Sequence, residues 1–276
     1  MWLTLVVTDE PLLVEALASG IVVVRLNRPA ALNALDADLM CRLEQLWLEL
    51  SRRQDLRCVV LTGAGRAFCS GADARFLSAE RAPRGAGLDG ELAFLPGRVL
   101  SVPVVVAVNG VCAGGGLHFV SDADIVIASQ SASFLDPHVS VGQVSGLEPV
   151  ALALRLPLPV IARMALLGRA ERVTAQRLYD LGLVTELVAE DADIVIRAVE
   201  IASAIASASP TAVRSTRAAL RRLTDYVVEP FMRAGWADVQ GHWSHPDAAE
   251  GPRAFAEKRS PAWHTGPELP GRPGGH

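Results

Sequence analysis

The stretch from Pro103 to His118, Pro-Val-Val-Val-Ala-Val-Asn-Gly-Val-Cys-Ala-Gly-Gly-Gly-Leu-His, constrains what this chain can fold into more than any other. Its opening residues are apolar, mostly β-branched and uncharged, the composition of a strand buried on both faces. The run ends at Asn109-Gly110, and three consecutive glycines follow at Gly114, Gly115 and Gly116. Glycine costs conformational entropy, so three in a row call for a backbone that approaches something closely. Two readings of the turn are open. One is a helix N-terminus whose free N–H groups are aimed at an anionic group. The other is a tight strand-to-helix turn with no ligand.

Composition narrows the class. With 276 residues the chain can form one large domain, or a core with a small appendage. It is 50% hydrophobic and 20% charged, a globular and not a disordered balance. A net charge of -4 gives no basic footprint, which argues against nucleic acid or an anionic membrane as a partner. Cys41, Cys58, Cys69 and Cys112 lack paired metal-ligand spacing and lie in apolar contexts. They read as buried free thiols of a reducing, cytoplasmic compartment. Asp9, Glu10 and Glu15 interrupt the apolar N-terminal residues and no basic segment precedes them, so no signal peptide is expected. No apolar run reaches membrane-spanning length.

In chain order, Leu12–Leu17 and Ile21–Leu26 read as a hairpin turning at Ser19-Gly20. Asp36 is an N-cap for a helix whose residues Leu39, Met40, Leu43, Leu46, Trp47 and Leu50 form one apolar stripe. Arg57–Thr62 reads as a third strand, followed by a glycine-punctuated turn from Ala67 to Asp73. Ser78–Gly90 reads as a surface loop and part of a substrate lid, with a helix after it up to Leu100. A short helix is expected over Leu117–Ser121, a buried strand over Asp124–Ala128, and a short strand from Ser133 into a loop at His138. Pro157 and Pro159 are expected to break the helical stretches after Gly146. Thr174 caps a helix that Gly182 ends, and Leu183–Val188 is a last strand. Helices are then predicted over residues 191–207, 211–223 and 229–240, with Pro210 at a helix start. The predicted division is a core over residues 1–190 and a helical C-terminal region over residues 191–276.

Three segments, in this order and spacing, carry a resemblance. They are Gly20-Ile-Val-Val-Val-Arg-Leu-Asn-Arg-Pro-Ala-Ala-Leu-Asn-Ala-Leu, Phe68-Cys-Ser-Gly-Ala-Asp and the stretch from Pro103 to Gly116. Together they resemble the enoyl-CoA hydratase/isomerase (crotonase) family. The similarity continues at Arg172-Val-Thr-Ala-Gln, Gly182-Leu-Val-Thr-Glu, Ser209-Pro-Thr-Ala-Val-Arg and Glu250–Arg259. The resemblance implies an α/β fold, a crotonase-like spiral of ββα units, with C-terminal helices that build a trimer or a hexamer. It implies an acyl-CoA thioester substrate, coenzyme A being part of the substrate, with no separate cofactor. It also implies that two backbone N–H groups stabilise a thioester enolate, and by position these are Ala72 and Gly115. Backbone recognition of coenzyme A falls on Arg28, Ala30 and Leu32, and on Ala72, Asp73 and Ala74. Phe255 and Lys258 match tail residues that hold the nucleotide end, often of a neighbouring subunit.

One departure bears on the chemistry. Hydratases of this family carry one glutamate three residues after the middle glycine and another after the proline of the next strand-loop. Those positions here hold His118 and His138. An imidazole has an unperturbed pKa of about 6.5, so it exchanges protons near neutrality without heavy tuning. Asp136, two residues before His138, is a candidate to orient that ring. Glu148 is a further candidate base, or a helix-start glutamate favouring the dipole. No further ligand spacing supports a metal among these residues. The leading expectation is a lyase or isomerase of the enoyl-CoA hydratase/isomerase type in which histidines replace the glutamate pair. Hydrolysis or C–C cleavage of an acyl-CoA is the second expectation, and a non-catalytic acyl-CoA-binding protein the third.

Overall fold

A computed structural model describes residues 10–73, 87–189 and 193–266. β-Branched runs build its centre. Strands β1 (Leu12–Ala16), β2 (Ile21–Leu26), β3 (Cys58–Gly63), β5 (Val104–Val108), β7 (Ile125–Ser129) and β10 (Glu186–Val188) form a six-stranded sheet in the order β1-β2-β3-β5-β7-β10. The β1–β2 hairpin is antiparallel and every other pair is parallel. Alternate residues of β2 face opposite ways. Val22, Val24 and Leu26 join a core with Leu39, Leu43 and Trp47 of helix α1 (Ala37–Ser51). Ile21 and Val23 join a second core with Ile194, Ala198 and Ala202 of helix α7 (Ile194–Ser207). Burial on both faces is why these strands read as continuous apolar runs.

Short strands β4 (Ala67–Cys69), β6 (Val111–Ala113), β8 (Ser133–Leu135) and β9 (Val173–Thr174) form a second sheet, ordered β4-β6-β8-β9. The chain passes from the first sheet to the second after β3, after β5 and after β7, and one side chain joins the first two of these bends. Asn109 clasps both. Its Oδ1 accepts from Gly63 N at 3.1 Å and its Nδ2 donates to Gly65 O at 2.8 Å. Asn33, fully buried with φ +56, donates from Nδ2 to Ala64 O and Ala67 O at 2.9 and 2.8 Å. Buried polar side chains here satisfy the backbone that leaves the first sheet.

Several expectations are corrected. Residues 87–90 lie in helix α2 (Gly87–Glu91), not in a loop; residues 78–86 of the expected lid fall outside the described residues. The expected helix before Leu100 is only a 3-10 turn at Pro96–Arg98. The helical stretches after Gly146 are interrupted as expected, between Ala151 and Leu158. Pro157 and Pro159 then open helix α5 (Leu158–Leu167), where a missing N–H costs nothing. The two helices read between residues 211 and 240 are one, α8 (Pro210–His242), which continues through Pro230. Val228, Met232 and Trp236 of its second half are buried in the main core, and that packing outweighs the β-branched and proline residues. Cys41 is exposed; only Cys58, Cys69 and Cys112 are buried. Among the described residues, no single helix is long and apolar enough to cross a membrane.

Candidate active site

The second sheet ends beside the triple glycine. β4 and β6 run parallel with Cys69 opposite Cys112, and each strand then turns away. Leu35 forms an isolated parallel bridge with Ala72. Leu35 N donates to Gly71 O at 2.8 Å and Asp73 N donates to Leu35 O at 2.9 Å. Since the flanking groups take Leu35, the N–H of Ala72 faces the other side. That side belongs to Gly115. A Cβ built on Gly115 would stand 3.8 Å from Ala72 N and 3.7 Å from Gly71 Cα. Gly114 has φ +48, the left-handed turn that lets the chain enter helix α3 (Gly116–Asp122) directly. Gly115 is the N-cap of that helix, where N–H groups have no intrahelical acceptor.

The side chains converge from three elements. His118 lies on α3 and is buried, its edge against the Phe94 ring at 6.1 Å. Its Nε2 is 3.1 Å from Glu148 Oε1, while its Nδ1 is buried without a hydrogen-bond partner. Nε2 is therefore the nitrogen that donates to Glu148. His138 opens the 3-10 turn after β8, with its Cε1 3.6 Å from a Cβ built on Gly114. Its Nδ1 is 2.5 Å from Asp136 Oδ1 and its Nε2 is 3.5 Å from Glu148 Oε1. A carboxylate at each ring nitrogen suits the doubly protonated ring, in which both nitrogens donate. Asp136 itself is fully buried.

Glu148 is the first residue of helix α4 (Glu148–Ala151) and is buried between the two histidines. Burial alone would raise its carboxyl. The charges of His138 and His118, with the His118 hydrogen bond, outweigh burial and hold it below the ordinary carboxylate range. Glu148 thus belongs to the cluster and does more than favour a helix dipole. The cluster keeps one carboxylate ionised beside a proton-bearing imidazole.

The remaining predicted site residues fall into two groups. The Arg28–Leu32 segment lies along the turn of Ala72, since Leu32 O accepts from Ser70 N at 3.0 Å. The Arg28 guanidinium is taken up internally, with Asp36 Oδ2 at 2.8 Å, Asp73 Oδ2 at 3.2 Å and the carbonyl of Ala34 as a third partner. Pro29 and Ala30 of this segment are exposed, and Arg28, Ala31 and Leu32 are half-buried. Ala74 lies outside the described residues. Phe255 and Lys258 are exposed, and Phe255 sits under the Arg169 guanidinium at 4.4 Å. No hydrogen bond or ion pair of the described residues ties either to the Arg28–Leu32 segment. Sequence reasoning missed Ser145, whose hydroxyl donates to Asp136 Oδ2. A serine between Val144 and Gly146 carries no local signature, whereas the Asp136-Pro-His138 spacing did mark Asp136.

The model of the family described as enoyl-CoA hydratase/isomerase matches residues 16–266. The chain belongs to this family. Among curated relatives, it is 36% identical to a mevalonyl-coenzyme A hydratase of Beauveria bassiana, over 88% of this chain and 91% of that protein. It is 34% identical to an enoyl-CoA hydratase of Mycobacterium tuberculosis, over 87% and 91%. Among solved structures, an enoyl-CoA hydratase/isomerase from Mycobacterium paratuberculosis superposes with a TM-score of 0.73 at 39% identity, covering 92% of this chain and 98% of that one. The two sheets and C-terminal helices are those of the crotonase fold.

Proposed function

We propose that this chain is an acyl-CoA hydro-lyase, which adds water across the double bond of an enoyl-CoA and removes it in reverse. The observation that carries the reading is the Glu148 carboxylate held between His118 and His138 beside the glycine turn. The thioester oxygen sits between the amides of Ala72 and Gly115. They face the position where enolate charge develops, the condition for donors to favour the transition state over the ground state. Coenzyme A lies along the backbone from Arg28 to Leu32 and from Ala72 to Ala74. Phe255 and Lys258, of this or a neighbouring copy in a trimer or hexamer, serve its nucleotide end.

Proton accounting assigns the side chains. Water attacks the β-carbon as its proton passes to ionised Glu148, and the α-carbon takes the Nε2 proton of His138. The ring is then neutral and the carboxyl protonated. The charge that held Glu148 low has gone, so its proton passes across the 3.5 Å to His138 Nε2 and the pair is reset. His118 holds the near carboxylate oxygen throughout, and Asp136 fixes the His138 ring.

Turnover of an enoyl-CoA panel, followed with α-proton exchange in deuterated water, tests this. His138→Ala and Glu148→Gln should each lower turnover by roughly two to four powers of ten, with acyl-CoA affinity kept. Tight acyl-CoA binding with neither hydration nor exchange in the wild type would replace the reading with a binding protein.

A further inference from the structure

We propose that Ser145 is a positioning residue for His138, acting through Asp136. The inference rests on the acid role given to that ring above. Asp136 is fully buried, and a buried carboxylate needs a donor on each oxygen. Its Oδ1 accepts twice from one residue, from His138 N at 3.2 Å and from His138 Nδ1 at 2.5 Å. Its Oδ2 accepts from the Ser145 hydroxyl. With Oδ2 held, the carboxylate cannot swing about its Cβ–Cγ bond and Oδ1 stays on the imidazole. A planar anion with one end free would turn its lone pairs elsewhere.

Ser145 is itself fixed from behind. It stands in the segment between the 3-10 turn of His138 and helix α4, three residues before Glu148. The segment is pinned to the C-terminal helices at several points, among them His242 Nε2, 2.9 Å from Gly142 O. Gln143 Nε2 donates to Ala248 O at 2.9 Å, inside helix α9 (Pro246–Ala256). Gly146 lies against Gly235 of α8 so closely that a Cβ on Gly146 would meet Gly235 O at 2.6 Å. One segment therefore sets both flanks of the His138 ring: the Asp136 side through Ser145 and the Glu148 side through the start of α4.

The test compares Ser145→Ala and Ser145→Thr in the full chain with two readouts. The first is the low-field proton resonance of His138 Nδ1, assigned by its loss in His138→Gln. The second is the pH profile of kcat on the enoyl-CoA turned over best by the wild type. Ser145→Ala should move the resonance upfield, shift the pH profile and lower kcat roughly tenfold at unchanged KM, the size of one lost hydrogen bond. Ser145→Thr, which keeps the hydroxyl, should restore all three. If Ser145→Ala does not fold, Ser145→Cys replaces it, with a weaker donor of similar size. A folded variant lacking the hydroxyl, but with the wild-type resonance and pH profile, overturns the proposal. If the wild type turns over no acyl-CoA, the proposed function fails instead, and the Nδ1 resonance alone decides the role of Ser145.

Discussion

At the scale of single residues, the amide of Gly115 is the group that a one-carbon substitution tests most directly. Gly115 has helical dihedrals, φ -53 and ψ -19, so alanine meets no backbone penalty there. Its methyl would stand 3.8 Å from Ala72 N and 3.1 Å from Leu35 Cδ1, inside the space the two amides share. Gly115→Ala should therefore melt close to the wild type yet lose roughly two to three powers of ten in turnover, because the methyl keeps an oxyanion away from a donor that the substitution itself retains. Paired melting and activity measurements check this, and full activity would remove Gly115 from the site. The cysteines give a second test. Burial pushes the thiols of Cys58 and Cys69 up to about 12 and that of Cys112 well above its usual value, whereas Cys41 is exposed. Because the thiolate is the nucleophile, alkylation of the native protein near neutral pH should mark Cys41 alone, and all four only after unfolding. Mass spectrometry of the labelled peptides reads this directly.

Among the elements, α8 decides how the site is held. Gly235 of this helix meets Gly146 at backbone distance, and a Cβ there would fall 2.0 Å from Gly146 O. Gly235→Ala must move either the helix or the segment that carries Ser145 and Glu148. Overpacking of this kind costs about 1–3 kcal/mol, and turnover should fall with stability. Gly241→Ala in the same helix is the control. Nothing lies within 4 Å of its added Cβ, so it should gain up to about 1 kcal/mol of helix propensity and leave turnover unchanged. This element was also the least legible one in the sequence. The strands announce themselves because both faces are buried, and α1 because its stripe and its Asp36 cap are local signals. The continuity of α8 through Val227, Val228 and Pro230 is decided by core contacts far away in the chain, which no local pattern carries. The site divides in the same way. Ala72, Gly115, His118 and His138 were readable from their motifs and Asp136 from its spacing. The convergence of Glu148 on both rings, and the grip of Ser145 on Asp136, depend on how one loop is laid over the second sheet.

The whole molecule registers the buried charges as a dependence on pH. Glu148 sits below the ordinary carboxylate range in the folded state, so folding favours its ionised form. That contribution is complete above the unfolded carboxyl value of about 4.3 and is lost as pH falls towards the lower folded value. Urea unfolding between neutrality and pH 3 should show stability falling more steeply in the wild type than in Glu148→Gln, which lacks the titrating group. Equal slopes would mean that Glu148 is not held low. The N-terminal hairpin lies far from this charge cluster in the chain, but cooperative unfolding makes the loss global.

The cross-strand pairing of Cys69 with Cys112 also acts as a gauge. Ala72 and Gly115 each stand three residues beyond that pair, past the ends of two strands whose backbones are separated by the usual sheet spacing of about 4.8 Å. Two N–H donors that share one oxygen at about 2.9 Å, spread by roughly 110°, must themselves stand about 4.8 Å apart. The width of a two-donor oxygen cradle is thus a dimension that any pair of neighbouring strands already possesses. Side chains around it can be exchanged without resetting that width.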